Sequence, residues 1–264
     1  MKVEIDFTKT IQENANDYYL RSKKAKKKLA GLQKGFTELR KKLESETNLK
    51  NAPGKKLVLK RKREWFEKFH WGYTGEGFLV VAGRDAKGNE TIVKKIMEKD
   101  DFYFHADVHG APHTLLKTIG KIPGEISKKE AAIFAAVFSK AWAQKISAVD
   151  VYSTSPEQVS KKAPSGESLG TGAFMVYGKR EWFKKTPLEF SIGIDSKNRI
   201  FSGPLAAVKT KCSFIVPVSF GNDSKGVASK KIKAFFRQKT GFDANLDDIS
   251  ALLPADGLSV SLSN

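Results

Sequence analysis

Tyr18, Ser22, Ala25, Leu29, Leu32, Phe36, Leu39 and Leu43 follow one another at alternating steps of four and three residues, the period of a coiled-coil seam. No other feature limits the fold so strongly, because a single helix cannot bury such a seam against itself. The lysines of KKAKKK and RKK fall on the outer faces. Gly31 and Gly35 each weaken a helix by about 1 kcal/mol relative to alanine, so a second helix, from another copy or another protein, is expected to complete the seam. The alternative is a solvated basic helix that frays in isolation. NLKNAPGKK then ends the pattern with Asn, Pro and Gly. The expected organisation is a basic coiled-coil helix over 1–47, a basic linker over 48–63 and one mixed domain over 64–264.

Charge gathers in the same region. Residues 1–63 hold 19 Lys or Arg against 7 Asp or Glu, a net of +12 out of the chain's +18. Clustered cations neutralise phosphates and release their counterions, so a polyanion, with nucleic acid foremost, is the expected partner class. The sole cysteine, Cys212, sits in the apolar run CSFIVPV, where a buried, inert thiol is expected and no internal disulfide can form. The start MKVEIDFTKT lacks the apolar core of a secretory signal, and no apolar stretch has the length of a membrane span. A cytoplasmic protein without membrane contact is expected.

Beyond the linker, GFLVVAGR, DFYFHAD, AVDVYSTS, AFMVYG, LEFSIGID and CSFIVPVSF have the length and the apolar, aromatic and β-branched content of strands. Ser127 and Glu130 have capping-box spacing ahead of Phe134, Val137, Phe138, Ala141 and Trp142 on one helical face. Ile232, Phe235 and Phe236 form a second stripe that Gly241 closes as a C-cap. Strands and helices alternate without a regular βαβ order, so the fold class is α+β: an N-terminal coiled-coil helix followed by one mixed α/β globular domain.

Three segments carry candidate chemistry. In DFYFHADVHGAPHTLLK, His105, Asp107 and His109 would share one face of an extended strand. With His70 and His113 the only other imidazoles and one cysteine, metal ligands are scarce. A hydrogen-bonding or structural role ranks first, an anion contact second and a metal third. Pro112 is expected to start a helix through HTLLK, placing amide groups beside the histidines. In SPEQVSKKAPSGESLGTGAFMVYGKR, Gly166, Gly170 and Gly172 could form a concave anion site with Lys161, Lys162, Lys179 and Arg180, although glycines in loops more often serve turn geometry. The segment lacks Walker spacing, and GRDAKGNE is no dinucleotide fingerprint. REWFEKFHWGY interleaves Trp65, Phe66, Phe69, Trp71 and Tyr73 with Arg63, Lys68 and His70, a mixture suited either to base stacking or to a core.

REWFEKFHW, GFLVVAGRDAKGNETIVKK, DFYFHADVHGAP and VSKKAPSGESLGTGAFMVYGKREW, in that order, resemble the NFACT-R domain. This is the C-terminal RNA-binding domain of the NFACT ribosome-quality-control factors, some of which carry an older fibronectin-binding label. VEIDFTKTIQENANDYYLRSKKAKKK resembles the opening of that family's coiled-coil middle region. The resemblance implies an RNA-binding protein that meets the large ribosomal subunit, its ribosomal RNA or tRNA, in the handling of stalled nascent chains. It also implies that the family's N-terminal tRNA-recruiting domain has no counterpart in this sequence, and that a homodimer or a separate N-terminal NFACT partner completes the seam. By motif position it assigns RNA contact to Arg84, Asp85, Asn89, His105, Asp107, His109, Gln158, Ser160, Lys161, Gly166, Glu167 and Gly172. Lys162, Lys179 and Arg180 join these as neighbouring cations. No residue is given a catalytic or metal-binding role, and no cofactor is implied. The competing expectations are an RNA-processing or RNA-modifying enzyme built on His105, Asp107 and His109, and an adaptor in ribosome assembly whose basic helix meets an acidic protein.

Overall fold

The computed structural model describes residues 4–49, 63–163 and 169–262, which fall into two compact units, Met1–Lys62 and Arg63–Asn264. Most of the expected linker therefore lies outside the described residues, as do Gly166 and Glu167 and the side chain of Leu43.

Among the described residues the first unit has one helix, α1 (Ile11–Leu49). Its start is a capping box that the seam pattern does not reveal. The Thr10 hydroxyl accepts from the Glu13 N–H at 3.2 Å, and the Glu13 carboxylate accepts from the Thr10 N–H at 2.8 Å. The preceding turn folds back on the helix, with the Tyr18 hydroxyl donating to the Glu4 carbonyl at 2.6 Å. Leu29, Leu32, Phe36 and Leu39 of the seam are all exposed.

The second unit is α+β. Its larger sheet is antiparallel, in the order β1 (His70–Tyr73), β2 (Leu79–Ala82), β4 (Thr114–Lys117), β3 (Phe102–Ala106), β5 (Ala148–Thr154) and β8 (Glu181–Pro187). A short ladder joins β6 (Val159–Ser160) to β7 (Met175–Val176), and a second antiparallel sheet has the order β10 (Ile200–Gly203), β9 (Phe190–Ile194), β11 (Phe214–Asp223), β12 (Leu258–Val260). Helix α2 (Ala86–Thr91) runs into a π-helical turn over Ile92–Ile96. Helices α3 (Glu125–Val137) and α4 (Lys140–Ala143) follow β4, α5 (Leu205–Lys209) follows β10, and α6 (Lys225–Thr240) and α7 (Leu246–Leu252) precede β12.

One face of the large sheet, with Val80, Phe104, Leu116 and Val151, packs on α3 and continues into a core shared with β9, β11, α6 and α7. Alanines 131, 132, 135 and 136 are all buried, and their small size lets α3 lie close on the strands. The opposite face, with Val81, Tyr103, Leu115 and Tyr152, is covered by Phe66, Phe69, Ile92 and Val93, with Phe174 and Val176 packed beside them. On α6, Ile232, Phe235 and Phe236 are buried, and Gly241 closes the helix at φ +72°, as the stripe predicts.

Three expectations require correction. HTLLK is strand β4 rather than a helix behind Pro112: Thr114–Lys117 lies between β2 and β3 with all four residues buried. A short run apolar on both faces cannot be told from a helix by its period. Ser127 does not cap α3. Gly124 holds the N-cap position, while the Ser127 hydroxyl contacts Thr74 and Glu76 and the Glu130 carboxylate accepts from the Gly75 N–H at 2.8 Å. The pair ties the helix to the β1–β2 turn. Finally, the apolar face from Phe134 to Trp142 is broken at Phe138, and Ser139 caps a new helix by accepting from the Ala141 N–H at 3.2 Å.

Candidate nucleic-acid interface

The segment around the glycines is built from α2 outward. Asp85 caps α2 by accepting from the Gly88 N–H at 2.6 Å. Asn89 lies so close to Gly83 that a Cβ there would sit 1.9 Å from its Oδ1, and this oxygen accepts from the His113 N–H at 3.1 Å. Glu90 is the anchor of the glycine segment. Its carboxylate accepts from Lys94 at 2.5 Å, from the Gly172 N–H at 2.7 Å and from Lys161 at 2.9 Å, and these bonds hold its pKa down to about 2. Gly172 has φ +79°, and a Cβ on it would meet the Ala86 carbonyl at 2.6 Å, so the position needs glycine.

Lys161 is enclosed by its partners. Besides Glu90, its ammonium donates to the carbonyls of Gly170 at 2.8 Å and Ala173 at 3.0 Å, and it lies 4.7 Å from the Phe174 ring centroid. Three donors meet three acceptors. Gln158 is equally committed: its amide donates to the carbonyls of Tyr177 at 2.6 Å and Lys179 at 2.9 Å, while its oxygen accepts from the Ser155 N–H at 3.2 Å. The Ser160 hydroxyl accepts from the Lys162 N–H at 3.0 Å. Arg84 donates to the carbonyls of Phe69 at 2.9 Å and Ala251 at 3.0 Å, and burial lowers its pKa.

The three histidine-segment residues do not share a strand face. Strand β3 stops at Ala106, and Asp107 and His109 are exposed in the turn that follows, where Gly110 has φ +73°. His105 alone points into the sheet's aromatic row, with burial as the first cause of a pKa lowered to about 4. Among the described residues, no three His, Cys, Asp or Glu side chains converge as metal ligands. The histidine that organises the site is His113, which the alternating pattern passes over. Its Nε2 lies 2.8 Å from the Gly172 carbonyl, which can only accept, so Nε2 carries the proton and Nδ1 accepts from the Tyr103 hydroxyl. Burial lowers its pKa, which favours the neutral ring that this pattern requires.

The cations that do face outward lie at the rim. Lys162 and Lys179 are exposed. The Arg180 guanidinium lies 4.5 Å from the Tyr152 ring centroid and donates to the Val176 carbonyl at 3.3 Å. On the neighbouring edge strand β8, the Lys184 ammonium stands 4.1 Å from the Trp182 ring centroid and donates to Asp150 at 2.8 Å. The exposed Tyr177 donates its hydroxyl to the Lys162 carbonyl at 2.9 Å. In REWFEKFHWGY, Phe66 and Phe69 are core, His70 stacks on Phe138 at 4.1 Å, and Trp65 is exposed. Cys212 is partly buried, and burial pushes its thiol up to about 12.

Residues 68–178 match the family model of the NFACT protein RNA binding domain. The chain is 38% identical over 208 residues to the archaeal Rqc2 homolog aRqcH of Methanocaldococcus jannaschii, covering 78% of this chain and 30% of the relative. It is 39% identical over 178 residues to ribosome quality control complex subunit NEMF of Homo sapiens, covering 64% and 16%. A Drosophila melanogaster NEMF homolog is 35% identical over 199 residues, covering 73% and 20%. The chain thus spans less than a third of the length of these relatives. The C-terminal part of the fibronectin/fibrinogen-binding protein from Streptococcus suis aligns over 67% of this chain and 76% of its own, at 19% identity and a TM-score of 0.39.

Proposed function

Residues 68–178 belong to the NFACT RNA-binding domain family, and on that premise we propose that the chain binds RNA in the quality control of stalled ribosomes, at the large subunit, at tRNA, or at both. The observation that carries this reading is the division of labour in the glycine segment. Lys161 and Gly172 tie it to Glu90 of α2, Gln158 closes it on itself through the Tyr177 and Lys179 carbonyls, and Asn89 ties α2 to His113, while Lys162, Lys179 and Arg180 stand at its rim. We assign direct phosphate contact to these three cations and to the turn of Asp107 and His109, with the histidine as donor. Arg84, Asp85, Asn89, His105, Gln158, Ser160, Lys161 and Gly172 are positioning residues. The role is binding rather than catalysis, exercised in the cytosol, and the exposed seam of α1 pairs with a second copy or a separate NFACT chain.

Titration of the full chain with tRNA and with large ribosomal subunits across a salt series tests this reading. Affinity falls steeply as salt rises, and the double variant Lys162→Glu, Lys179→Glu binds more weakly, with a log–log salt slope shallower by somewhat under one per contact removed. Salt-insensitive binding, or parental affinity and slope in the double variant, would overturn it.

A further inference from the structure

We infer that Trp182, on the edge strand β8, is a stacking platform for an unpaired base of bound RNA. The inference rests on the RNA-binding reading above and names the kind of RNA this part of the surface takes. Strand β8 closes the large sheet beyond β5, with Trp182 paired across from Tyr152. Alternate β8 side chains face opposite ways. Phe183 turns inward, 5.8 Å from Phe104, whereas Trp182 and Lys184 belong to the other face.

On that face the rings form a row across three strands. Tyr103 and His105 stack at 6.4 Å, His105 and Tyr152 at 5.8 Å, and Tyr152 meets Trp182 edge-on at 5.4 Å. The inner end is sealed, since Tyr103 is fully buried and bonded to His113. The outer end is open, with Trp182 38% exposed. A tryptophan kept at an open sheet edge leaves unused a large apolar surface that burial would otherwise recover.

The charge around the ring selects the ligand. Arg180 lies over Tyr152 and Lys184 over Trp182, so each outer ring has a cation beside it. Of the carboxylates nearby, Asp150 is engaged by Lys184 at 2.8 Å and by the Lys185 N–H at 2.8 Å, and Glu181 by Lys128 at 3.7 Å, while Asp107 is near enough to act on the Tyr152 hydroxyl. A flat apolar surface flanked by positive charge matches a nucleobase with its phosphate. Bases inside a duplex already stack on one another and cannot reach such a ring, so the ligand is a single strand, a loop or a splayed end.

The test uses the full chain, with a short labelled oligoadenylate and an RNA duplex of the same length as probes. Trp182→Ala weakens oligoadenylate binding roughly tenfold and leaves duplex binding within about twofold, while Trp182→Phe recovers part of the loss. Oligoadenylate also quenches the tryptophan emission of the parent more than that of Trp182→Phe, which retains Trp65, Trp71 and Trp142. Equal affinity of parent and Trp182→Ala for oligoadenylate overturns the inference, as does an equal loss on both probes. If Trp182→Ala is silent while Lys162→Glu, Lys179→Glu weakens both probes, only the stacking claim falls. If the parent binds neither probe at low salt, the RNA-binding reading falls with it.

Discussion

The ammonium of Lys161 meets one carboxylate and two carbonyls, so reversing its charge would report on the folding of the glycine segment and not on RNA contact. Its partner Glu90 and the buried histidines make the folded unit sensitive to acid. The Glu90 carboxyl is held near 2 against its usual 4.5. Its contribution to stability is therefore complete above about 4.5 and is lost as pH falls toward 2. His70, His105 and His113 act earlier. Burial disfavours their charged forms, so the unfolded chain takes up these protons first, and stability declines as pH drops below 6.5 and on toward about 4 for His105 and about 3 for His70. The melting temperature of the full chain should hold steady above pH 7, fall from about pH 6.5 and fall more steeply below about 4.5. A melting temperature unchanged down to pH 5 would mean that these three imidazoles protonate freely in the folded chain.

At the scale of elements, α1 leaves an apolar seam without a partner among the described residues, with Leu32 63% and Phe36 73% exposed. If two copies pair through it, the parent sediments as a dimer and Leu32→Glu, Phe36→Glu as a monomer. A parent that stays monomeric at every concentration would contradict self-pairing and leave the seam to a different chain. The N-terminal helix, the strands rich in β-branched residues and the Gly241 cap are legible in the sequence because each depends on local period or local backbone preference. Strand β4 is not, because both of its faces are buried and its run is short. Strand β8 is not, because an edge strand reading EWFKKTP pairs its two aromatics and its two lysines instead of alternating apolar with polar residues, and so resembles a polar loop. The same limit applies to the site. The lysines and glycines of 155–180 stand out by composition, but only the folded chain shows that Glu90 and His113, 82 and 59 residues from Gly172, hold that segment in place. The expected shared face of His105, Asp107 and His109 fails for a related reason. Alternation implies one face only while a strand continues, and β3 ends after His105 and Ala106.

For the molecule as a whole, charge and shape divide between the two units. The N-terminal residues 1–63 carry +12 of the +18, which favours fast, salt-sensitive association with any polyanion and confers no selectivity. The α+β unit supplies the shaped surface, a glycine segment pinned from beneath with cations at its rim and an aromatic row opening at Trp182. No helix among the described residues is long and apolar enough to cross a membrane. The central claim is that RNA is gripped on the α+β unit at this rim. Ultraviolet crosslinking of the full chain to bound RNA, with the attached peptides mapped by mass spectrometry, tests it most directly. The account predicts crosslinks concentrated between Met175 and Pro187, above all at Tyr177 and Trp182. Crosslinks confined to the basic N-terminal segment, with that stretch unmodified, would contradict it.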